Sequence, residues 1–332
     1  MSTHSLLTPL VSFTVTAYNT EKYIGECLDS ILAQEGNYDF EIVVVDDASK
    51  DDTEKIVRSY TDPRLHYIRH TKNQGAFATV NRGFEEARGK FVARIDSDDR
   101  YRSDFLTTVV PILQQYPEVG LVYGDIALID SEGKITNSSG NVARQNRPAK
   151  GNELIPLLEK NYLPAPTTIA RKEAWAEGLP IPRGFDFCDW YLSTSIAKKW
   201  EFYYCDRVLA DYRIHQQNHH KSVILDKTGE KITFEVLEQI FSEPDRHLEK
   251  QKARKRVYAT NYQTYADKYF GCQMIEDARR CYLQAIRYKS QLLLDFGVMR
   301  RLFGTMLGQQ TYEKSKALAK SLLFGYTKNQ KS

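Results

Sequence analysis

Residues 94–100 read Arg-Ile-Asp-Ser-Asp-Asp-Arg, which places Asp96, Asp98 and Asp99 directly after the apolar run Phe91-Val92-Ala93. Carboxylates this crowded repel one another unless a cation neutralises them. Oxygen ligands suit Mg²⁺ or Mn²⁺, and Mg²⁺ is usually held by one or two carboxylates together with substrate phosphates. An ion held that way can stabilise the negative charge that develops on a leaving diphosphate. The same string also reads as the polar start of a helix, where the macrodipole favours acids. On these residues alone both readings stand. A second acidic pair, Asp46-Asp47, follows the apolar run Ile42 to Val45.

The elements around these acids follow from periodicity. Residues 11–17 are a β-branched run that predicts a strand. Thr20 is expected to cap a helix carrying the stripe Ile24, Cys27, Leu28, Ile31 and Leu32. Residues 41–47 read as a strand buried on both faces, as in a parallel sheet. A helix near 53–60, a strand at 65–70, a helix with Phe77, Val80, Phe84 and Ala87 on one face, and a strand at 90–96 come next. A helix at about 103–115 then leads to a fifth strand, VGLVYGD. Strands alternating with helices predict βαβ units and an α/β, doubly wound, mostly parallel sheet. In such sheets ligands bind outside the carboxyl ends of the strands. Thr16, Tyr18, the Asp46-Asp47 pair and the Asp96 cluster all fall at strand ends.

Beyond residue 124 the pattern loosens. A hairpin is expected around Glu132-Gly133, a polar and mobile loop from Asn137 to Pro148, an added strand at 164–170, a helix at 186–200, and strand and loop at 201–215. Past about residue 230 the signals are helical only. Two parts follow: an α/β domain at 1–230, with halves at about 1–125 and 126–230, and an all-α segment at 231–332.

The order VSFTVTAYN, EIVVVDDAS, NQG and ARGKFVARIDSDD resembles family 2 glycosyltransferases with the Rossmann-like GT-A fold. The resemblance runs over about residues 11–125. It implies an inverting transfer of a sugar from a nucleotide diphosphate, most simply a UDP-sugar, to a hydroxyl of a glycan or lipid-linked acceptor. On that resemblance Thr16, Tyr18 and Asp47 hold the nucleotide base, with Asp47 near the uracil. Asn73 and Gly75 match a loop beside the nucleotide. Asp96-Ser97-Asp98 matches the family's DxD motif, which implies Asp96 near ribose and metal and Asp98 as ligand to Mn²⁺ or Mg²⁺. Asp99 is implied in shaping the donor-sugar site. FCDWYL, 187–192, resembles the segment that carries the catalytic base, which implies that role for Asp189. A positioned Asp can take the acceptor proton within hydrogen-bond reach. Cys188 stands where the family usually has an acid, and Asp186 could partly substitute. ADYRIHQQN, 210–218, resembles the segment whose Arg and His approach the diphosphate and metal, which implies Arg213 and His215. An Arg fork suits phosphate, and a neutral His can ligate a metal. Trp190 is expected in the core or in an acceptor-site wall; His219 and His220 are expected in a loop.

Composition bounds the class. The 332 residues carry a net charge of +3, but residues from 251 onward hold 16 Lys and Arg against 5 Asp and Glu. The five cysteines, Cys27, Cys188, Cys205, Cys272 and Cys281, are odd in number and form no CxxC pair, which fits a reducing compartment. There is no apolar run of the ~18 residues that would span a bilayer and no leader pattern, so a cytoplasmic protein is expected, with a peripheral site on the inner face of the membrane as an option. There is no GxGxxG after the first strand and no Walker pattern. The stretch YADKYFGCQMIEDARRCYLQAI resembles one tetratricopeptide-type hairpin, where a solenoid needs about three repeats. Leu302, Phe303, Met306 and Leu307, then Leu318, Leu322, Leu323 and Phe324 with Lys314, Lys316 and Lys320, read as basic amphipathic helices for a membrane or protein surface. No nucleic-acid partner is expected. Two rivals to a transferase are a nucleotidyltransferase, which would show a Gly-rich basic loop after the first strand, and a non-catalytic nucleotide-sugar-binding scaffold.

Overall fold

The computed structural model describes residues 8–138, 149–185, 188–215 and 222–307. The expected loop at 139–148, Asp186, His219, His220 and the basic stretch beyond 307 lie outside the described residues. Contacts divide the chain into two compact units, residues 1–157 with 161–218, and residues 158–160 with 219–332. The division falls ahead of the expected residue 230.

The first unit is built on one ten-stranded sheet. In chain order it comprises β1 (Val11–Ala17), α1 (Ile24–Leu32), β2 (Phe40–Asp46), α2 (Thr53–Ser59), β3 (Leu65–Arg69), α3 (Ala76–Glu86), β4 (Phe91–Asp96), β5 (Arg100–Tyr101), α4 (Phe105–Gln115), β6 (Val119–Ile129) and β7 (Ile135–Asn137). There follow β8 (Lys150–Gly151), α5 (Leu154–Glu159), whose end crosses into the second unit, β9 (Ile169–Arg171), α6 (Lys172–Trp175), α7 (Cys188–Ala197) and β10 (Glu201–Arg213). The strand order is β3-β2-β1-β4-β9-β6-β10-β5. β3, β2, β1 and β4 are mutually parallel, and β6 pairs parallel with β10. The short strands β5, β7, β8 and β9 are antiparallel additions.

Every residue of β2 is buried, which is why its sequence is a continuous apolar run and not an alternating one. The apolar stripe of α1 packs into the same core as Val11, Phe13 and Val15 of β1 and Phe91, Ala93 and Ile95 of β4. After β3 the chain returns to the other side of β1, so the strand order reverses between β1 and β4. The carboxyl ends of those two strands are therefore the crevice where an open α/β sheet takes its ligand. Thr16 and Asp96 are register partners at that edge.

Two expectations are corrected. Thr20 does not cap α1 with its side chain: the helix starts at Ile24, and the Thr20 carbonyl accepts from the N–H groups of Tyr23 and Ile24 at 2.9 and 3.0 Å. The Thr20 hydroxyl instead accepts from Ser97 Oγ at 2.9 Å, tying the first loop to the acidic cluster. Residues 164–170 are not a full strand. Ala165–Thr167 is a 3-10 turn and β9 begins only at Ile169, because Pro164 and Pro166 cannot donate to a ladder. The Glu132-Gly133 hairpin forms between β6 and β7, with Gly133 at φ +77°.

The second unit is helical: α8 (Ser222–Leu225), α9 (Thr228–Ser242), α10 (His247–Gly271), α11 (Ile275–Tyr288) and α12 (Phe296–Leu307). The short connection between α10 and α11 makes the expected hairpin. Its seam is Tyr265, Ala266, Tyr269 and Phe270 against Ala278, Cys281, Tyr282 and Ala285. Among the described residues no helix is long and apolar enough to cross a membrane.

Candidate active site

The floor of the crevice is a chain of polar contacts between β1, β4 and α7. Asp96 is the last residue of β4, and its Oδ1 accepts from Thr16 Oγ1 and from Arg94 Nη2, each at 2.7 Å. The other arm of the same guanidinium, Nη1, donates to Oδ1 of Asp189 in the first turn of α7. The Arg94 side chain is 9% exposed, whereas those of Asp96 and Asp189 are 43% and 40% exposed. A buried cation therefore lies beneath two carboxylates that face solvent.

Beside this floor, Asp98 Oδ2 lies 2.9 Å from Nε2 of His215, the second residue after β10. The His215 ring stacks on Tyr23, with centroids 5.2 Å apart. Burial raises the Asp98 carboxyl above its ordinary pKa and the charge of Asp96 adds to the rise; His215 pulls the other way and loses. Asp99 is pushed well up, first by burial and then by the charge of Asp98. Its Oδ1 accepts from the Arg213 N–H at 2.8 Å, while its buried Oδ2 has no hydrogen-bond partner among the described residues. Repulsion and an unsatisfied buried oxygen are costs that a folded protein carries where function requires them.

Arg213 departs from expectation. Its side chain is fully buried and does not offer its fork to the crevice. Nε donates to the Asp98 carbonyl at 2.7 Å, Nη1 to the Asp130 carbonyl at 3.1 Å and Nη2 to Glu26 Oε2 at 2.8 Å, with the Tyr23 ring 4.6 Å from the guanidinium carbon. Arg213 thus braces the acidic loop from behind. Trp190 is core: it is buried, and its indole N–H donates to the Leu157 carbonyl at 2.7 Å.

Of the expected base-binding residues, Thr16 belongs to the crevice floor, whereas Asp47 sits in a separate corner at the end of β2. Asp47 is buried; Oδ1 lies 2.8 Å from His70 Nδ1 and accepts from the Gln74 N–H at 2.8 Å, and Oδ2 accepts from the Gly75 N–H at 2.8 Å. Asp47 thereby holds residues 70–75 in place. Gly75, at φ +90°, starts α3, a backbone region that glycine enters without steric cost. Asn73 is exposed in that loop, and Tyr18 is exposed just past β1. The structure thus brings Thr16, Asp96, Asp98, Asp99, Asp189 and His215 into one contact network and leaves Asp47, Asn73 and Gly75 in a neighbouring one.

Arg94, Glu26 and Tyr23 were not singled out from sequence. For Arg94 a signal exists: an arginine inside the apolar strand FVARID must find carboxylate partners when buried. Glu26 and Tyr23 carry no such signal. Among the described residues no three His, Cys, Asp or Glu side chains are grouped to hold a metal by themselves. Asp98 with His215 offers one carboxylate oxygen and one imidazole nitrogen, a set that fits a divalent ion whose remaining ligands are phosphate and water.

Residues 12–176 match the model of a family described as Glycosyl transferase family 2. The putative glycosyltransferase EpsH of Bacillus subtilis (strain 168) is 45% identical over 100 residues, 30% of this chain and 28% of EpsH. The succinoglycan biosynthesis protein ExoO of Rhizobium meliloti (strain 1021) is 42% identical over 102 residues, 31% of this chain and 29% of ExoO. The chain thus spans less than a third of the length of these two relatives. In fold it is similar to S. aureus TarS 1–349 in complex with UDP-GlcNAc, with a TM-score of 0.63 at 18% identity, covering 93% of this chain and 92% of that one. It is also similar to the mannosyltransferase PcManGT from Pyrobaculum calidifontis in complex with GDP-Man and Mn²⁺, with a TM-score of 0.56 at 19% identity, covering 91% and 87%. These likenesses carry the architecture: a mostly parallel GT-A-like sheet with helices, and helices after it.

Proposed function

We propose, from the membership of this chain in glycosyl transferase family 2 through residues 12–176, that it moves a sugar from a nucleotide diphosphate to a hydroxyl acceptor with inversion at the anomeric carbon. The observation that carries the reading is the convergence of Asp96, Asp98 and Asp189 at the carboxyl ends of β1 and β4. The donor is a UDP-sugar, in keeping with the UDP-GlcNAc bound by TarS. A glycan or lipid-linked acceptor accords with the succinoglycan biosynthesis in ExoO's name.

The reaction is a single displacement. Asp189 takes the proton of the acceptor hydroxyl. The freed oxygen bonds to the anomeric carbon as the bond to the diphosphate breaks, and its electron pair leaves with the diphosphate. Asp189 suits this step because only its Oδ1 is engaged by Arg94 among the described contacts, which leaves Oδ2 for the hydroxyl. Asp96 stands the same way, with Oδ1 held by Thr16 and Arg94 and Oδ2 toward the ribose. Asp99 supports the donor-sugar side from behind Asp98. Asp98 and His215 would hold Mn²⁺ or Mg²⁺, in keeping with the Mn²⁺ of PcManGT. That ion, when bound, supplies positive charge for the leaving diphosphate. Asp47, through the loop bearing Asn73 and Gly75, shapes the base corner with Tyr18. Arg213 contributes by bracing Asp98 and not as a phosphate ligand. In the helical unit, exposed Leu293, Leu294, Phe296, Phe303 and Met306 support a peripheral membrane or protein contact of a cytoplasmic enzyme.

The test is turnover of UDP-, GDP- and dTDP-sugars with Mn²⁺ or Mg²⁺, followed as released nucleoside diphosphate. Metal-dependent release from one donor, lost in Asp98→Ala, is expected. Failure of every nucleotide sugar to bind in the presence of metal would sink the transferase reading and leave a scaffold.

A further inference from the structure

We propose that Arg94 is the positioning residue that aims the proposed base, tying Asp189 to the same anchor that holds the donor-side carboxylate Asp96. This rests on the transferase reading above. Arg94 sits inside β4, paired with Thr14 of β1 and one residue past the ladder to β9, so its backbone is fixed by the sheet. Asp189 has no such support: it stands in the first turn of α7, a helix end that reaches β4 through this contact. A carboxylate in the first turn of a helix with no second side-chain anchor among the described contacts would sample several rotamers. The buried guanidinium selects one, pinning Oδ1 and leaving Oδ2 to the crevice.

The two carboxylates are not equally dependent on Arg94. Asp96 is also held by Thr16 Oγ1 at 2.7 Å, and it lies at a strand end whose register is set by β1. The described contacts give Asp189 no other side-chain anchor. Removing the guanidinium should therefore misplace the base far more than the donor carboxylate. A guanidinium is also uniquely suited here, because its planar fork can serve two carboxylates at once and an ammonium cannot match both directions.

The test is a cycle of wild type, Arg94→Gln, Asp189→Asn and the double variant, with Arg94→Lys as the conservative control. Turnover is read on the panel of nucleotide sugars with Mn²⁺. Arg94→Gln is expected to lower kcat by about 10²-fold, the scale of a roughly 1 Å misplacement, with the donor KM changed little. Arg94→Lys is expected to recover part of kcat. In the Asp189→Asn background Arg94→Gln should cost little further, only what its remaining contact to Asp96 contributes, because the group it aims is gone. An equal further loss in that background, or a wild-type kcat in Arg94→Gln alongside an inactive Asp189→Asn, would overturn the positioning role while sparing the base reading. Full turnover in Asp189→Asn would instead sink the base assignment, and this role with it. A second arm needs no substrate. Amide hydrogen exchange in α7 should quicken in Arg94→Gln and less in Arg94→Lys, and unchanged exchange would also overturn the proposal.

Discussion

Asp46-Asp47 closes β2, and Asp96 with Asp98-Asp99 closes β4, so two acid clusters stand at the carboxyl ends of parallel strands that flank β1. Their surroundings differ completely. Asp46 accepts from the Ser49 N–H and hydroxyl at 2.9 and 2.6 Å and from the Tyr67 hydroxyl at 2.6 Å. Asp47 has both oxygens filled by His70, Gln74 and Gly75. Around β4, Asp98 is driven up by burial and by Asp96, Asp99 by burial and by Asp98, and Asp99 Oδ2 has no hydrogen-bond partner among the described residues. Adjacent acids at a strand end can thus be structural glue or an unfinished site. What distinguishes them is whether the fold itself satisfies the charge.

The largest effect should separate the clusters by activity. Asp98→Ala removes the carboxylate proposed to hold the cation that serves the leaving diphosphate, a change expected to cost about 10²–10³-fold in turnover, while its melting temperature should hold or rise because a repulsive charge is gone. A large loss of melting temperature would show that Asp98 is structural after all and would erase the contrast. Asp47→Asn should behave in the opposite manner. Its side chain would turn one acceptor into a donor facing the Gln74 or Gly75 N–H, leaving buried groups mismatched at about 1–3 kcal/mol. Chemical denaturation reads that directly, and a wild-type unfolding midpoint would mean the loop is held by other contacts.

Glu41 extends the satisfied class and brings a pH signature. Burial would raise its carboxyl, but hydrogen bonds from the Ser12 hydroxyl and from the N–H and guanidinium of Arg88 outweigh burial and hold it below its ordinary value. A depressed folded pKa means stability that is fully present above the unfolded value and lost as pH falls through the folded one. Glu41→Gln should therefore destabilise most at neutral pH. Its gap to wild type in thermal melts should be flat there and should shrink once pH drops below the ordinary carboxyl value of 4.5. A gap that stays constant down to acid pH would mean the interaction does not depend on the charge.

Much of this was open to reading from residues. The apolar periods from Val11 to Gln115 predict β1 to β4 and the helices between them, because a sheet covered on both faces needs continuous apolar runs that chance rarely supplies. The acids at strand ends were legible for the same reason. What escaped was whatever depends on side-chain direction across long separations. Arg94 and Asp189 meet across 95 positions, and no local pattern encodes that meeting. The resemblance of ADYRIHQQN implies an Arg213 that faces the diphosphate, but Glu26 and three carbonyls draw it inward. Thr20 looked like a cap because hydroxyls suit that place, yet Ser97 engages it from a loop brought near only by the sheet.

Asp99→Asn gives the smallest effect and the sharpest one, because its sign is opposite to that of Asp47→Asn. The substitution keeps an oxygen for the Arg213 N–H and removes a buried charge that burial and Asp98 both oppose. Stability should rise by about 0.5–2 kcal/mol, the range of a single stabilising substitution. Turnover should fall, since Asp99 is proposed to support the donor-sugar side from behind Asp98. A protein that gains stability by losing a carboxylate at β4, and loses stability by losing one at β2, would show that the two acid clusters differ in kind. If Asp99→Asn instead melts earlier, its second oxygen has a partner, and the β4 cluster joins the β2 pair as structure.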